Sequence, residues 1–146
     1  MRFRTEHQRN IAFDLLRLKR KGFSIIEYFK KDEPVVIYGL DFLGKEMYLE
    51  LKGKVNIICF IDRSHDMEYF DDIPVFSIDN TRLNTLFMQY EKVKVLVMIL
   101  SDWDSIKEEI MTRFKNTVPI SPYLVTSSLK TNKMNFFEHK QPLAMN

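Results

Sequence analysis

From Pro34 onward, short apolar runs rich in β-branched residues alternate with stretches of helical period, and this order restricts the fold more than any single motif. "VVIYG" (35–39) reads as a buried strand ending in glycine. "FLGKEMYLELK" (42–52) places Leu43, Met47 and Leu51 four apart, with Phe42 and Leu49 close by, and reads as a helix. "VNIICFID" (55–62) is the next strand, and residues 63–72 are a polar connection too short for a covering helix. "IPVFSI" (73–78) is a third strand. "DNTRLNTLFMQYEK" (79–92) is a helix with Leu83, Leu86, Phe87 and Tyr90 on one face. "VKVLVMIL" (93–100) is a fourth strand. "SDWDSIKEEIMTRFK" (101–115) is a helix capped by Ser101 or Asp102, with Trp103, Ile106, Ile110 and Phe114 facing inward. "VPIS" (118–121) is a fifth strand at an edge, where Pro119 is tolerated.

Strands that alternate with helices predict a parallel sheet covered on both faces. With right-handed crossovers this is an α/β domain, a Rossmann-like three-layer open parallel sheet of about five strands, spanning 34–125. Residues 1–33 form an N-terminal helical extension. Within it, Ile11, Leu15 and Leu18, widened by Ala12 and Leu16, make an apolar stripe over 6–21. Thr5 is the N-cap there and Gly22 the stop. Ser24 and Glu27 form a capping box for "SIIEYFKK", and Pro34 ends the helical region. The stripe packs on the sheet or pairs two copies of the chain. The tail, 126–146, is polar and poorly periodic.

The 146 residues suffice for one domain with a real core. A net charge of +2 provides no field for nucleic acid or an anionic membrane. The charge is uneven, with residues 1–33 at +4 and the remainder at −2. This is a solvated helical face or a docking surface for an acidic partner. The single cysteine, Cys59, lies in an apolar strand, so no intramolecular disulfide forms and the thiol is an inert core group. "MRFRTEHQRN" lacks the apolar stretch of a signal peptide, and "VLVMIL" is too short to span a bilayer. The expected location is the cytoplasm.

The stretch "VVIYGLDFLGKE" carries the chemistry worth testing. Gly39, Gly44 and Lys45 have the spacing of a phosphate loop, G-x-x-x-x-G-K. Glu46, however, stands where a Ser or Thr hydroxyl must reach Mg²⁺. Gly39 and Gly44 also have the outer spacing of the dinucleotide fingerprint G-x-G-x-x-G, and Asp62 ends the second strand 18 residues after Gly44, where an acid meets a ribose hydroxyl. Here the departure is Asp41, which replaces the middle glycine. Asp41 is well placed to cap the following helix, so its carboxylate takes the N–H groups and dipole end that a phosphate needs. Two negative groups there repel by about 4 kcal/mol at about 4 Å, roughly a thousandfold in affinity. Lys45 or Arg63 offsets part of this. With nothing bound, Gly39 serves the tight turn and Gly44 close helix–sheet packing.

The remaining candidates are sparse. His7, His65 and His139 make no metal-spaced set with Cys59, although His65 follows the second strand near the cleft. Asp62, Asp66, Glu68, Asp71 and Asp72 crowd one loop and attract a cation or simply keep the loop soluble. Asp102 and Asp104 face the cleft side, where helix capping accounts for them. No Ser-His-Asp or Cys-His order stands out.

The segments "VVIYGLDFLGKEMYLEL", "IICFIDRS", "DDIPVFSID" and "VKVLVMILSDWDSIKEEI" together resemble a Rossmann-like domain of bacterial surface-polysaccharide gene clusters. The resemblance covers about residues 20 to 122. That domain occurs alone or fused to glycosyltransferases, and is similar to the nucleotide-sugar-binding N-terminal domains of some sugar acyltransferases. The resemblance implies that Gly39, Gly44 and Asp62 line a nucleotide cleft. It brings no defined reaction, and Asp41 departs from its pattern. The expectation is a non-catalytic accessory module of polysaccharide or glycan biosynthesis, binding a nucleotide-sugar or docking a partner such as a glycosyltransferase. The alternative is an NAD(P)-dependent oxidoreductase or epimerase-like enzyme acting on a sugar nucleotide, which needs a Tyr-x-x-x-Lys pair in a suitable place. None is evident.

Overall fold

The computed structural model describes residues 28–99 and 101–121. The expected helices of residues 1–27, the stripe of Ile11, Leu15 and Leu18, and the tail lie outside the described residues. So do His7 and His139.

Among the described residues, six strands and three helices follow one another: β1 (Pro34–Tyr38), α1 (Phe42–Leu51), β2 (Asn56–Ile61), β3 (Glu68–Phe70), β4 (Ile73–Phe76), α2 (Arg82–Phe87), β5 (Val93–Val97), α3 (Trp103–Arg113) and β6 (Thr117–Ile120). The sheet order is β3-β4-β2-β1-β5-β6, parallel throughout except where β3 pairs with β4. The strands read as unbroken apolar runs because both faces are covered. Along β1, Val35 and Ile37 join Leu43, Met47 and Leu51 of α1. Val36 and Tyr38 point the other way and join Leu83 and Phe87 of α2 and Ile106 and Ile110 of α3. Fully burying one such aliphatic chain stabilises by about 1.5–3 kcal/mol. Cys59 is buried in the second cluster, and burial pushes its thiol pKa up, as expected of an inert core group.

Two elements differ from the sequence expectation. The polar connection at 63–72 contains a strand, so the sheet has six strands, with β3 as an antiparallel edge. Asp71 and Asp72 make this hairpin by taking left-handed conformations, with φ of 52° and 64°. That is the two-residue turn usually marked by Asn-Gly. The helix expected over 79–92 is only Arg82–Phe87. Its start is fixed by the Asn80 side chain, which accepts from the Arg82 N–H at 2.9 Å. Its end is fixed from a distance: the Asn116 carboxamide donates to the Phe87 and Tyr90 carbonyls at 2.8 and 2.9 Å. Among the described residues, no helix is long and apolar enough to cross a membrane.

Candidate functional site

β1 hydrogen-bonds β2 on one side and β5 on the other, so the chain changes direction across the sheet beside β1. In open α/β sheets a crevice forms at the carboxyl edge of such a strand. The turn after β1 lies there. Gly39 has φ +103°, and a Cβ on it would stand 3.0 Å from Ile99 Cγ1. The glycine is therefore required, but the group that approaches it is the chain's own isoleucine. Gly44 is required for a different contact. A Cβ there would stand 1.9 Å from the Gly39 carbonyl oxygen, so α1 rests directly on the turn.

Carboxylates occupy the turn's donors. Asp41 is the N-cap of α1, and its Oδ1 accepts from the Gly44 N–H at 3.5 Å. Asp62, one residue past β2, accepts from the Leu40 N–H through Oδ2 at 2.9 Å and from the Ser64 N–H through Oδ1 at 2.8 Å. Gly39 itself donates to the Ile61 carbonyl at 2.8 Å. Gly39, Asp41, Gly44 and Asp62 are thus brought together in one turn. Neither expected cation joins them. Lys45 lies over the Phe70 ring at 5.3 Å, and Arg63 pairs with Glu109 at 3.9 Å, on the α3 side of the sheet.

The crowded acids of 62–72 do not converge. Asp66 accepts from the Ser77 N–H at 2.8 Å and from Asn80 Nδ2 at 3.0 Å, contacts that hold its carboxyl below its usual pKa. Glu68 pairs with His65 at 2.5 Å, and Asp71 pairs with Lys52 at 2.7 Å. Among the described residues, no group of three or more His, Cys, Asp or Glu is placed to hold a metal ion. Asp102 takes the N-cap position of α3 at φ 57°, but its side chain makes no capping hydrogen bond, contrary to the sequence expectation. Asp104 in the first turn and Arg113 in the last complement the helix dipole.

Tyr48 and Lys52 do have Tyr-x-x-x-Lys spacing, but on the wrong part of the molecule. Both bind Asp71 in the β3–β4 hairpin, beside the Phe60 and Phe70 rings. Burial first, and then the hydrogen bond to Asp71, push the Tyr48 hydroxyl up to about 12. A general acid or base needs a pKa near the working pH, so this shift is in the unhelpful direction. It does predict a pH effect. Unfolded tyrosine titrates near 10, so folded Tyr48 keeps its proton to higher pH than the unfolded chain does. The stability this contributes is complete below pH 10 and is lost as pH rises toward about 12. Urea midpoints measured from pH 9 to 11.5 are expected to fall more steeply for the wild type than for Tyr48→Phe. Parallel curves would show that Tyr48 titrates as in the unfolded chain.

Sequence reasoning missed Tyr38. Its side chain is fully buried, and among the described residues its hydroxyl has no hydrogen-bond partner. Leaving a buried hydroxyl unmet costs about 1–3 kcal/mol. The Arg63 guanidinium lies close enough that hydrogen bonding with the Tyr38 side chain is the first cause raising its pKa, although the pair falls short of a well-formed hydrogen bond. Beyond Arg63 a charge chain runs along α3: Glu109 meets Arg113 at 3.3 Å, and Arg113 meets Asp79 at 2.8 Å. The only sequence signal was a tyrosine ending an apolar strand. Comparisons with protein-family models, curated proteins and solved structures each find no match.

Proposed function

We infer that the chain is a non-catalytic Rossmann-like accessory module of bacterial polysaccharide or glycan biosynthesis, which docks a protein of that pathway such as a glycosyltransferase. The pathway is what the sequence resemblance implies, and one observation favours docking over nucleotide binding. The donors that a nucleotide's phosphates would use, the Gly44 and Leu40 N–H groups, are held by the carboxylates of Asp41 and Asp62. A phosphate there meets two negative charges and no cation, since Lys45 and Arg63 are engaged elsewhere. This also disfavours the NAD(P)-dependent alternative, as does the placement of Tyr48 and Lys52. A nucleotide-sugar retains one mode of binding, through its sugar and base, with the diphosphate kept away from Asp41.

The test is a thermal-shift series with NAD, NADP, UDP and GDP at millimolar concentration, because a ligand of the native state raises the melting temperature. The wild type is expected to show no shift. Asp41→Gly frees the Gly44 N–H, loses only a few tenths of a kcal/mol as a cap, and is expected to bind UDP at least tenfold more tightly. A clear shift of the wild type by UDP or NAD would sink the reading. Unchanged UDP binding in Asp41→Gly would show that the carboxylate is not the obstacle.

A further inference from the structure

The helices α2 and α3 both end at the edge of the sheet opposite the glycine turn, where β5 and β6 begin. Between the two helix ends lies a cavity of about 510 Å³. That is within the ~300–1,000 Å³ range of small-molecule sites. The buried Phe87 and Phe114 rings form its back and meet edge to face, with centroids 4.8 Å apart. Half-buried Tyr90 and exposed Met88 supply accessible apolar surface beside them. Among the described residues Met88 is the most exposed large hydrophobic side chain, at 80%. A ligand in the cavity would cover it.

The walls are fixed by bonds already in place. Asn116 donates through Nδ2 to the Phe87 and Tyr90 carbonyls at 2.8 and 2.9 Å, and its own carbonyl accepts from the Val93 N–H at 2.9 Å. The Thr117 hydroxyl donates to the Phe114 carbonyl at 2.6 Å. Asn84, Met88 and Lys115 are exposed, so the cavity is open to solvent and no side chain has to leave it.

Charge narrows the choice of ligand. Two of the eight lining residues, Arg113 and Lys115, are cations, and none is an acid. Arg113 is held by Asp79 at 2.8 Å and Glu109 at 3.3 Å. Among the described residues no ion pair holds Lys115. The carbonyls at two helix ends would otherwise draw a cation. Those of Phe87, Tyr90 and Phe114 already accept hydrogen bonds. A cationic ligand therefore meets two like charges and no carboxylate. A neutral apolar ligand leaves Lys115 unused. An anion on an apolar body engages both the cation and the rings.

We propose that this cavity binds a small aromatic acid, a molecule of one or two fused rings bearing a carboxylate. Its rings lie against Tyr90 and the Met88 thioether, which suits aromatic contact. Its carboxylate pairs with Lys115, and the Asn84 carboxamide has an N–H to add. The site shares no residue with the glycine turn and does not rest on the docking reading.

The test uses three probes of one shape: 2-naphthoate, 2-naphthalenemethanol and 2-naphthylmethylammonium. Each is titrated into the full isotope-labelled chain and followed by NMR at the backbone amides and the Met88 methyl group. The carboxylate is expected to bind most tightly and the ammonium least, with the largest shifts at Asn84, Met88, Lys115 and Asn116. The wild type is expected to favour the carboxylate over the alcohol about fivefold, and Lys115→Gln to abolish that preference. The preference is read within one protein, so any general loosening of the cavity by the substitution cancels. The proposal is overturned if the ammonium binds as tightly as the carboxylate, or if Lys115→Gln keeps the preference. It is overturned also if the shifts centre elsewhere, or if no probe at millimolar concentration produces any. A shift of the melting temperature by UDP would sink the docking reading and leave this site standing.

Discussion

Gly44→Ala is expected to destabilise the chain by about 3 kcal/mol and to lower its melting temperature by roughly 15 °C. The new methyl carbon would stand 1.9 Å from the Gly39 carbonyl oxygen and 3.0 Å from the carbon behind it. Both are backbone atoms, so no side chain can rotate to relieve the contact. Relief requires α1 to lift from β1, which opens the cluster that Leu43, Met47 and Leu51 share with Val35 and Ile37. Gly53→Ala is the control. Its φ is +77°, yet no heavy atom lies within 4 Å of an added Cβ, so only conformational strain of about 1 kcal/mol is expected. Thermal denaturation of the two purified variants decides the matter. Equal losses would show that the close helix–turn contact is not what demands glycine at position 44.

Asp62→Ala is the second large effect, about 2 kcal/mol of lost stability. The substitution removes the acceptor of the part-buried Leu40 N–H, which hydrogen-bonds a charged group. The Ser64 N–H is exposed and finds water instead. Asp62→Asn is expected to recover only part of the loss. An amide has one oxygen, and its NH₂ would face whichever N–H that oxygen does not serve. Denaturant unfolding gives the stabilities, and native-state hydrogen exchange at Leu40 gives the cause. Exchange there should accelerate in both variants. Wild-type stability in Asp62→Ala would mean that the turn stands without its carboxylate.

The parallel strands and the α1 and α3 helices were legible because both faces of the sheet are buried. Burial on two sides leaves continuous apolar runs, and burial on one side leaves the four-residue spacing of Leu43, Met47 and Leu51. The sixth strand was not legible. It is three residues long, and its turn depends on two aspartates adopting a backbone conformation that composition does not announce. The shortened α2 was hidden for another reason: its end is set by Asn116, which no window around residues 79–92 contains. At the turn, the capping role of Asp41 and the packing role of Gly44 followed from local spacing. The role of Asp62 did not, because its partner Leu40 lies 22 residues earlier and the same acid also fits a ribose contact. Arg63 was assigned to the turn because it follows Asp62. In the structure it lies in the turn after β2 and pairs with Glu109 of α3 instead. Tyr38 looked like core since its ring is core, and only the hydroxyl is out of place.

The bond between Leu40 and Asp62 also bears on the order in which the molecule assembles. Glycine turns usually count as local structure, formed early from a few neighbouring residues. Here the acceptor for Leu40 arrives only when β2 has aligned beside β1, after the whole of α1 has been laid down between them. A fragment ending at Leu51 contains both glycines and the Asp41 cap but lacks the group that holds the Leu40 N–H. The turn is therefore completed by docking of the second strand, and its closure coincides with formation of the β1–α1–β2 unit as a whole.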